Sequence, residues 1–411
     1  MMNRIIGAIA CIVVLLACES SPEPEVILGD VDEAIAETKE CDCGKIEMVG
    51  DFKNGLARVD AGDCVYYVNE DAELAIQDTF YSAKDFWGIY AAVQMQGDDK
   101  AAYSIIDTSG KVILDIQQNY DNLNVDWEGN YVRFSKGEIG SDKEGVMDLT
   151  GKIIIPLQED DIYIHGDLAM LDKDMKHTTI YDLKSGEKIA EYDGQELGSS
   201  EGFVVISNTH EFFYLDSTGQ RVFGPYSSWA GEFSEGLAKV CHYGQVGFID
   251  RTGELVIPYQ YDLDNFSAVN NVFKDGLCAM SKDDELGEEK IGFIDRTGKM
   301  VIPQIYDDAD DFENGYAKVE LDGKNGLIDT KGNLVMICDF NYFWILGEGL
   351  YAAYENGANV IFDNENRKSS ITFDMIPDSY NGKVVGVIDG ELVSMTLDSL
   401  RDNIANNVFD L

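Results

Sequence analysis

The stretch GFIDRTG at Gly247–Gly253 occurs a second time, unchanged, at Gly292–Gly298. Asp250 is suited to begin a type I turn, because its carboxylate accepts a hydrogen bond from a backbone N–H two residues later. Gly253 suits the left-handed position that follows. The flanking segments are short and rich in β-branched and aromatic residues, which is typical of strands. The heptapeptide therefore predicts the tip of a β-hairpin with a bulge.

Looser copies of this turn recur along the chain, each with an Asp, small polar residues and a Gly between apolar segments. The copies are spaced by about 34 residues with occasional insertions, and such a period indicates a repeat protein. We expect each turn residue to hold its own hairpin rather than to act in catalysis. The predicted structural turn residues are Asp107, Gly110, Asp148, Gly151, Asp216, Gly219, Asp250, Gly253, Asp295, Gly298, Asp329 and Gly332.

A second motif runs in step with the first and consists of a Gly followed by a short apolar strand, as in FSEGLAKV around Gly236. From this Gly to the turn acid or amide there are 14 residues in five units, 16 in one and 19 in three. Each unit therefore has three or four strands, which bury too little apolar surface unless neighbouring units pack together. We predict an all-β repeat domain of about nine meander units over residues 46–395, arranged as a β-propeller-like ring. The alternative is an open β-solenoid. GVIDGELVSM at Gly386–Met395 is interpreted as a partial tenth unit that would supply strands to close the array.

The repeats resemble a known family. The segment GFIDRTGKMVIPQIYDDADDFENGYAKV (Gly292–Val319) and the copy that begins at Gly247 closely resemble the WG-containing repeat, or KWG repeat, of bacterial envelope proteins. The resemblance is most specific over residues 233–336 and fades toward both ends of 50–367. Val246, Ile291 and Asn325 stand where the name-giving Trp would precede Gly, so no role of that Trp is carried over. The resemblance implies a β-rich binding or scaffolding array without a general activity.

The first residues predict where the protein resides. Residues 1–17 contain Arg4 and then an apolar stretch too short to span a bilayer, which is typical of a signal peptide. LLAC at Leu15–Cys18 resembles the lipobox of bacterial lipoproteins, which implies lipidation of Cys18; the alternative is an ordinary secretory peptide cleaved nearby. Since Glu19 is not the Asp associated with inner-membrane retention, we expect an envelope protein anchored to the outer membrane, facing the periplasm or the cell surface.

Composition and the chain ends complete the domain plan. Residues 18–45 are acidic and predict a flexible tether, and residues 396–411 predict a helical tail. A net charge of −45, from 76 acidic and 31 basic residues, argues against nucleic-acid binding and leaves the lipid as the contact with membrane.

No cofactor is predicted. Weak Ca²⁺ binding by acidic loops such as YDDADDFENG is the sharper alternative to a merely solvated surface, although the twelve-residue calcium-loop pattern is absent.

The cysteines and histidines offer few sites. Cys41, Cys43 and Cys64 predict one disulfide in an oxidising envelope, either Cys41–Cys64 or Cys43–Cys64. Cys241 and Cys278 lie in strand-like segments and, with Cys338, are expected to be buried apolar residues. The 4 His residues have no metal-ligand spacing, and no nucleophile elbow or phosphate loop is found.

The sequence thus predicts a non-catalytic envelope lipoprotein whose repeat array binds or scaffolds another envelope protein or a glycan. The alternative is a carbohydrate-active hydrolase or lyase on a propeller-like frame, which requires carboxylates that converge in one pocket. Aromatic side chains are the candidate ligand contacts, although packing between units would use them equally well. These candidates are Trp87, Trp127, Trp229 and Trp344.

Overall fold

The computed structural model describes residues 43–95, 102–116, 120–126, 130–137, 143–173, 175–262, 271–283, 289–338, 343–365, 367–376 and 379–406. These residues form ten successive antiparallel meanders, which we number blades 1 to 10, and one helix. No helix in the described ranges is both long and apolar enough to cross a membrane.

The first five blades contain nineteen strands, and β1 to β7 of blades 1 and 2 are joined in one sheet. Blade 1 has β1 (Ile46–Val49), β2 (Ala57–Ala61) and β3 (Cys64–Val68); blade 2 has β4 (Phe80–Ala83), β5 (Tyr90–Met95), β6 (Tyr103–Asp107) and β7 (Val112–Ile116); blade 3 has β8 (Asn122–Val125), β9 (Tyr131–Lys136), β10 (Lys143–Asp148) and β11 (Ile153–Gln158); blade 4 has β12 (Asp161–His165), β13 (Leu168–Lys173), β14 (His177–Asp182) and β15 (Glu187–Asp193); blade 5 has β16 (Gln195–Ser200), β17 (Phe203–Ser207), β18 (Phe212–Leu215) and β19 (Arg221–Tyr226).

The remaining blades repeat the same plan, and the helix follows the last strand. Blade 6 has β20 (Trp229–Ser234), β21 (Leu237–His242), β22 (Gln245–Asp250) and β23 (Leu255–Asp262); blade 7 has β24 (Leu277–Asp283), β25 (Glu289–Asp295) and β26 (Met300–Tyr306); blade 8 has β27 (Asp308–Ala309), β28 (Tyr316–Leu321), β29 (Lys324–Asp329) and β30 (Leu334–Cys338); blade 9 has β31 (Phe343–Gly347), β32 (Leu350–Glu355), β33 (Ala358–Asp363) and β34 (Lys368–Phe373); blade 10 has β35 (Ser379–Tyr380), β36 (Lys383–Ile388) and β37 (Glu391–Thr396); α1 spans Leu397–Asn406.

The repeated turn joins the last two strands of a blade. In blade 6, the Gly253 N–H donates to Asp250 O at 2.9 Å and the Asp250 N–H donates to Glu254 O at 2.9 Å. The pairing of β22 with β23 shifts register beside this turn, which marks the bulge. The same backbone hydrogen bonds recur at Asp295 in blade 7. The seven-residue stretch therefore builds a hairpin end in both blades.

Apolar side chains pack between blades rather than within them. The described residues form ten buried clusters, and each cluster combines side chains from two neighbouring blades. Between blades 6 and 7, for example, Phe248 and Ile257 pack with Phe273 and Met280. A single blade exposes two apolar faces, so the stack of blades is what makes a core.

The first and last blades also pack against each other. Val59 of blade 1 and Val387 and Leu392 of blade 10 share one buried cluster. Ser394 Oγ donates to Glu70 O at 2.6 Å across the same seam. The blades thus form a closed, propeller-like ring through side-chain packing, and the open solenoid is not what the chain adopts. The partial tenth unit is a full member of this ring, since it supplies the closing strands.

The first strands of neighbouring four-stranded blades meet, as β16 of blade 5 does with β20 of blade 6, and we call them inner strands. Serines bridge the blades here, where Ser200 Oγ of β16 donates to Phe233 O of β20 and Ser234 Oγ of β20 donates to Phe273 O, in the segment before β24, at 2.6 Å. Fourth strands are more exposed, as in β15. The inner strand β16 is polar, whereas the middle strands, such as β21 and β22, are almost fully buried and carry the core.

The helix α1 seals one of these cores. Leu397, Leu400 and Ile404 are buried on one face and join the cluster between blades 9 and 10. Thr396 caps the helix, because its Oγ1 accepts a hydrogen bond from the Ser399 N–H at 3.1 Å. The predicted C-terminal helical tail is thus packed against the ring over its described residues.

Candidate functional site

The turn acids are engaged within their own hairpins. Asp250 Oδ1 accepts hydrogen bonds from the Thr252 N–H at 2.8 Å, from Thr252 Oγ1 at 2.6 Å and from the Glu254 N–H at 3.1 Å. The Thr252 hydroxyl, followed by the backbone donors, holds the pKa of Asp250 below its usual range. Asp295 makes the same contacts with Thr297 and Lys299. These carboxylates stabilise turns and do not converge on a ligand site.

Side chains near these turns also join adjacent blades. The Gly236 N–H of blade 6 donates to both carboxylate oxygens of Glu201 in blade 5, at 3.0 and 3.1 Å. Arg251, from the heptapeptide, reaches the same carboxylate at 2.8 Å. One blade further on, the Gly276 N–H and Arg296 contact Glu235 in the same manner. We call this arrangement the inter-blade clasp.

The clasp gives the heptapeptide Arg a role that sequence reasoning missed. Its signal in the sequence is the acid that precedes the Gly of the second motif, as in FSEG and FKDG. In blade 7, Asp275 accepts from the Gly315 N–H of blade 8 at 2.7 Å, although Thr330 takes the place of the Arg. The acid and the Gly are thus the constant parts of the clasp.

Three of the four candidate tryptophans lie in the described ranges, and Trp127 lies outside them. Trp87, Trp229 and Trp344 are half-buried, and each packs against a core between blades. Each also borders a cavity, of about 400, 270 and 530 Å³ respectively. These side chains therefore contribute to packing and also present part of their surface to open space.

We name the cavity beside Trp344 the Trp344 cleft. It draws residues from blades 8, 9 and 10 and from the loop after β1, so it lies near the seam of the ring. Its lining consists of Asp51, Asp310, Asp311, Glu313, Asn314, Tyr316, Lys318, Phe343, Trp344, Ile345, Leu346, Gly347, Glu348 and Ser379. Aromatic, carboxylate and amine groups thus border one space of about 530 Å³.

Two of the acids in this cleft are engaged with neighbouring groups. Glu348 forms an ion pair with Arg401 of α1 at 2.9 Å. Asp311 accepts a hydrogen bond from the Val272 N–H at 3.3 Å, and burial raises the pKa of Asp311. The Lys318 ammonium lies 5.4 Å from the centre of the Phe343 ring, within cation–π range. The cleft is therefore polar at its rim and has aromatic walls.

The structure places the other sequence-predicted residues as follows. Cys43 is joined to Cys64 by a disulfide, which selects one of the two predicted pairings. Cys18 and Cys41 lie outside the described residues. Cys241 and Cys278 are buried free thiols. In the described ranges, no group of three or more His, Cys, Asp or Glu side chains could hold a metal ion.

Comparison with solved structures finds distant likenesses. The chain is similar to BamB from Moraxella catarrhalis (13% identity, 69% of this chain and 91% of that one, TM-score 0.36) and to the computationally designed Ika8 protein (15%, 78% and 99%, 0.34). It is also similar to a eukaryotic initiation factor (9%, 73% and 91%, 0.44). Since these TM-scores are low, the propeller-like fold rests on the blades and cores described above. Among curated proteins, none matches this chain.

The family comparison is more specific. The model of the WG-containing repeat matches residues 247–285 and 291–324, which are the two copies of the heptapeptide with the segments that follow them. These residues form parts of blades 6, 7 and 8. Residues 247–324 thus contain WG-containing repeats, within a chain of propeller-like fold.

Proposed function

We propose that this protein is a lipid-anchored protein of the bacterial envelope whose ring of WG-type repeats binds a glycan in the Trp344 cleft. Binding, rather than catalysis, is the role we assign to this cleft. The observation that carries the proposal is the combination of Trp344 and Tyr316 with exposed carboxylates around one space of about 530 Å³. A cavity of this size suits a small ligand or a short stretch of a polymer.

The chemistry of the lining favours a neutral saccharide. Sugar rings have apolar faces that pack on aromatic side chains, and their hydroxyl groups donate hydrogen bonds to carboxylates. Asp51, Asp310 and Glu313 are exposed at the cleft and can accept such bonds. The net charge of −45 disfavours an anionic polymer by long-range repulsion.

The same carboxylates bear on the alternative function, glycan cleavage. A glycosidase needs two carboxyl groups free to act on one bond. Here Glu348 is paired with Arg401 and Asp311 is bonded to the Val272 N–H. The acids that remain are exposed at the rim, which supports binding over cleavage.

The anchor supports a location near cell-surface glycans. Leu15–Cys18 resembles a lipobox, and an acidic segment separates Cys18 from the first blade. Because several acyl chains hold a protein firmly in a membrane, lipidation would retain the ring at the envelope. Radiolabelled palmitate should enter the wild-type chain and not a Cys18→Ser variant. Equal labelling of both chains would contradict the anchor.

The binding test uses the Cys18→Ser chain, which lacks the predicted lipid, on an array of neutral and acidic bacterial oligosaccharides. We expect neutral glycans to bind, and we expect binding to fall at least 10-fold in Asp310→Asn/Glu313→Gln because two carboxylate acceptors are lost. Both side chains are exposed and dispensable for the core, so the double variant should fold. Glu159→Gln, an exposed acid that follows β11 of blade 3 and does not line the cleft, is the matched control. Binding unchanged in the double variant, or capture of proteins alone, would contradict the glycan proposal, and release of shortened glycans would favour the hydrolase.

A further inference from the structure

A separate group of side chains lies on the inner strands of blades 4, 5 and 6. His165 ends β12, Glu196 and Ser199 lie in β16, and Glu232 lies in β20. His165 and Ser199 border a cavity of about 710 Å³. His165 and Ser199 are 34 residues apart, so they stand one repeat period from each other in consecutive blades.

These side chains form a hydrogen-bonded line. His165 Nε2 lies 3.0 Å from Glu196 Oε1, and His165 Nδ1 is hydrogen-bonded to Ser199 Oγ. The Glu196 side chain is only 5% exposed. A carboxylate accepts hydrogen bonds, so Nε2 carries the proton and Nδ1 presents its lone pair to the serine hydroxyl. Ser199 therefore donates to a base whose tautomer and orientation are set by Glu196.

An irregularity in β16 makes this line possible. Glu196 and Ser199 are three residues apart, and in a regular strand they would point to opposite faces of the sheet. The register with β17 shifts between Glu196 and Gly198, which marks a bulge. The extra residue restores both side chains to the side of His165. Bulges re-aim side chains in this way beside active sites.

A second carboxylate lies beside the bulge. Gly198 has φ +151°, and a Cβ at this position would lie 1.9 Å from Glu232 Oε1, so only glycine allows the approach. Burial, and then the charge of Glu196, raise the pKa of Glu232, while His165 acts in the opposite direction. The Glu196 and Glu232 carboxylates are placed to stabilise positive charge that develops on the His165 ring during a reaction. An imidazolium is the species that results when a base takes the serine proton.

We propose that Ser199 is the nucleophile of an acyl-transfer site that hydrolyses small, uncharged acyl esters. His165 acts as general base and Glu196 is a positioning residue. The inference goes beyond the glycan-binding role, because it concerns blades 4 to 6 and not the Trp344 cleft.

In the first step Ser199 Oγ attacks the ester carbonyl carbon and its proton passes to His165 Nδ1. The C–O bond to the alcohol breaks, and the alcohol leaves with that proton. Water then attacks the acyl-serine with His165 again as base, which releases the acid and restores Ser199.

The surroundings restrict the substrate class. Asp126, Asp167 and Glu201 also line the cavity, so an anionic ester would be repelled. Ile164 and Phe203 supply apolar lining for an acyl group. A short neutral acyl ester is therefore the expected substrate.

The experiment uses the Cys18→Ser chain with a fluorophosphonate probe and with p-nitrophenyl acetate. Mass spectrometry of the labelled wild-type ring locates the adduct without any further variant. We expect one adduct, on Ser199, and roughly a 100-fold slower reaction in Ser199→Ala and His165→Gln, which is the usual contribution of a general base. Ser217→Ala is the matched control, since Ser217 lines the same cavity and no hydrogen bond joins it to a histidine in the described ranges.

The labelling experiment either supports the Ser199 site or overturns it. An adduct on Ser199 that depends on His165, with the unfolding temperature of each variant unchanged, supports the site. An unlabelled wild-type chain, or labelling spread equally over Ser217 and other serines, overturns it even where Ser199→Ala lowers stability. Glycan binding in the Trp344 cleft is measured separately, so failure here leaves that proposal intact.

Discussion

Replacing Gly253 with alanine tests whether the repeated heptapeptide joins neighbouring blades as well as turning the chain. Gly253 has φ +81°, and a Cβ at this position would lie 2.4 Å from Cδ1 and 2.7 Å from Cε1 of Phe223. Phe223 belongs to β19 of the preceding blade. The substitution therefore combines backbone strain within blade 6 with a steric clash against blade 5.

The two contributions can be estimated separately. An alanine held in the left-handed region costs about 1–2 kcal/mol of unfolding free energy. Forcing extra atoms into a packed contact costs a further ~1–3 kcal/mol. We therefore expect Gly253→Ala to lower the unfolding free energy by roughly 2–5 kcal/mol.

The matched control is Gly276→Ala. Gly276 has φ +77°, and an added Cβ would meet nothing within 4 Å, so only the backbone term of about 1–2 kcal/mol applies. Both variants are made in the Cys18→Ser chain and followed by tryptophan fluorescence in guanidinium chloride. The difference between the two losses isolates the contact with Phe223.

A third variant makes the test decisive. In a Phe223→Leu background, the smaller side chain relieves the clash, so the cost of Gly253→Ala should fall toward that of Gly276→Ala. Equal losses for Gly253→Ala and Gly276→Ala in the wild-type background would refute the inter-blade role. So would a loss for Gly253→Ala that is the same in both backgrounds.

Three further predictions concern the clasp, the disulfide and pH. Glu201→Ala should lower the unfolding free energy by about 1–3 kcal/mol, because the Gly236 N–H loses its acceptor. Arg251→Met should lower it by under ~1 kcal/mol, because it removes only an exposed ion pair. Chemical denaturation of both variants checks this, and equal losses would contradict it. The Cys43–Cys64 disulfide spans 21 residues, so replacing both cysteines with Ser should lower the unfolding free energy by about 3 kcal/mol. Calorimetry of the double variant measures this, and an unchanged unfolding temperature would contradict the prediction. The pKa of Asp250 is lowered in the folded protein, so the stabilisation by its carboxylate is present above the ordinary aspartate pKa of 3.8 and is lost as pH falls below it. Asp250→Asn should therefore flatten acid unfolding in that window, and an unchanged acid transition would contradict this.

The sequence predicted the repeat and its turn because both are local. Asp250 and Gly253 encode the hairpin in neighbouring residues, and the period of about 34 residues shows that the hairpin is copied. The tenth blade was predicted only as a partial unit, because its last hairpin turns at Asp389–Gly390 and lacks the Asp–x–x–Gly pattern. Closure could not be predicted, since it depends on packing between Val59 and Val387 at opposite ends of the chain.

The hydrogen-bonded group of His165, Glu196 and Ser199 could not be predicted from the sequence, for a different reason. The contact between Glu196 and His165 depends on a bulge of one residue in β16. Its local indication is Gly198, but a glycine within a strand marks close approach of another group to the backbone as readily as a bulge. The contact between His165 and Ser199, by contrast, follows the repeat period, so equivalent positions in consecutive blades are where inter-blade contacts should be sought. The repeat period thus predicts that His165 and Ser199 lie close together, whereas the bulge in β16 is what brings Glu196 to the same histidine.

The seam between blades 1 and 10 sets an order on folding. The Ser394–Glu70 hydrogen bond joins residues 324 positions apart, and the Lys383–Asp71 ion pair joins residues 312 apart. A chain made from its amino terminus therefore keeps one apolar face of blade 1 uncovered until its last blade exists. Contacts so distant in sequence form slowly. A chain interrupted before blade 10 would expose an apolar face at each end of the blade series, and both faces could associate with other chains. Both are buried once blade 10 is complete.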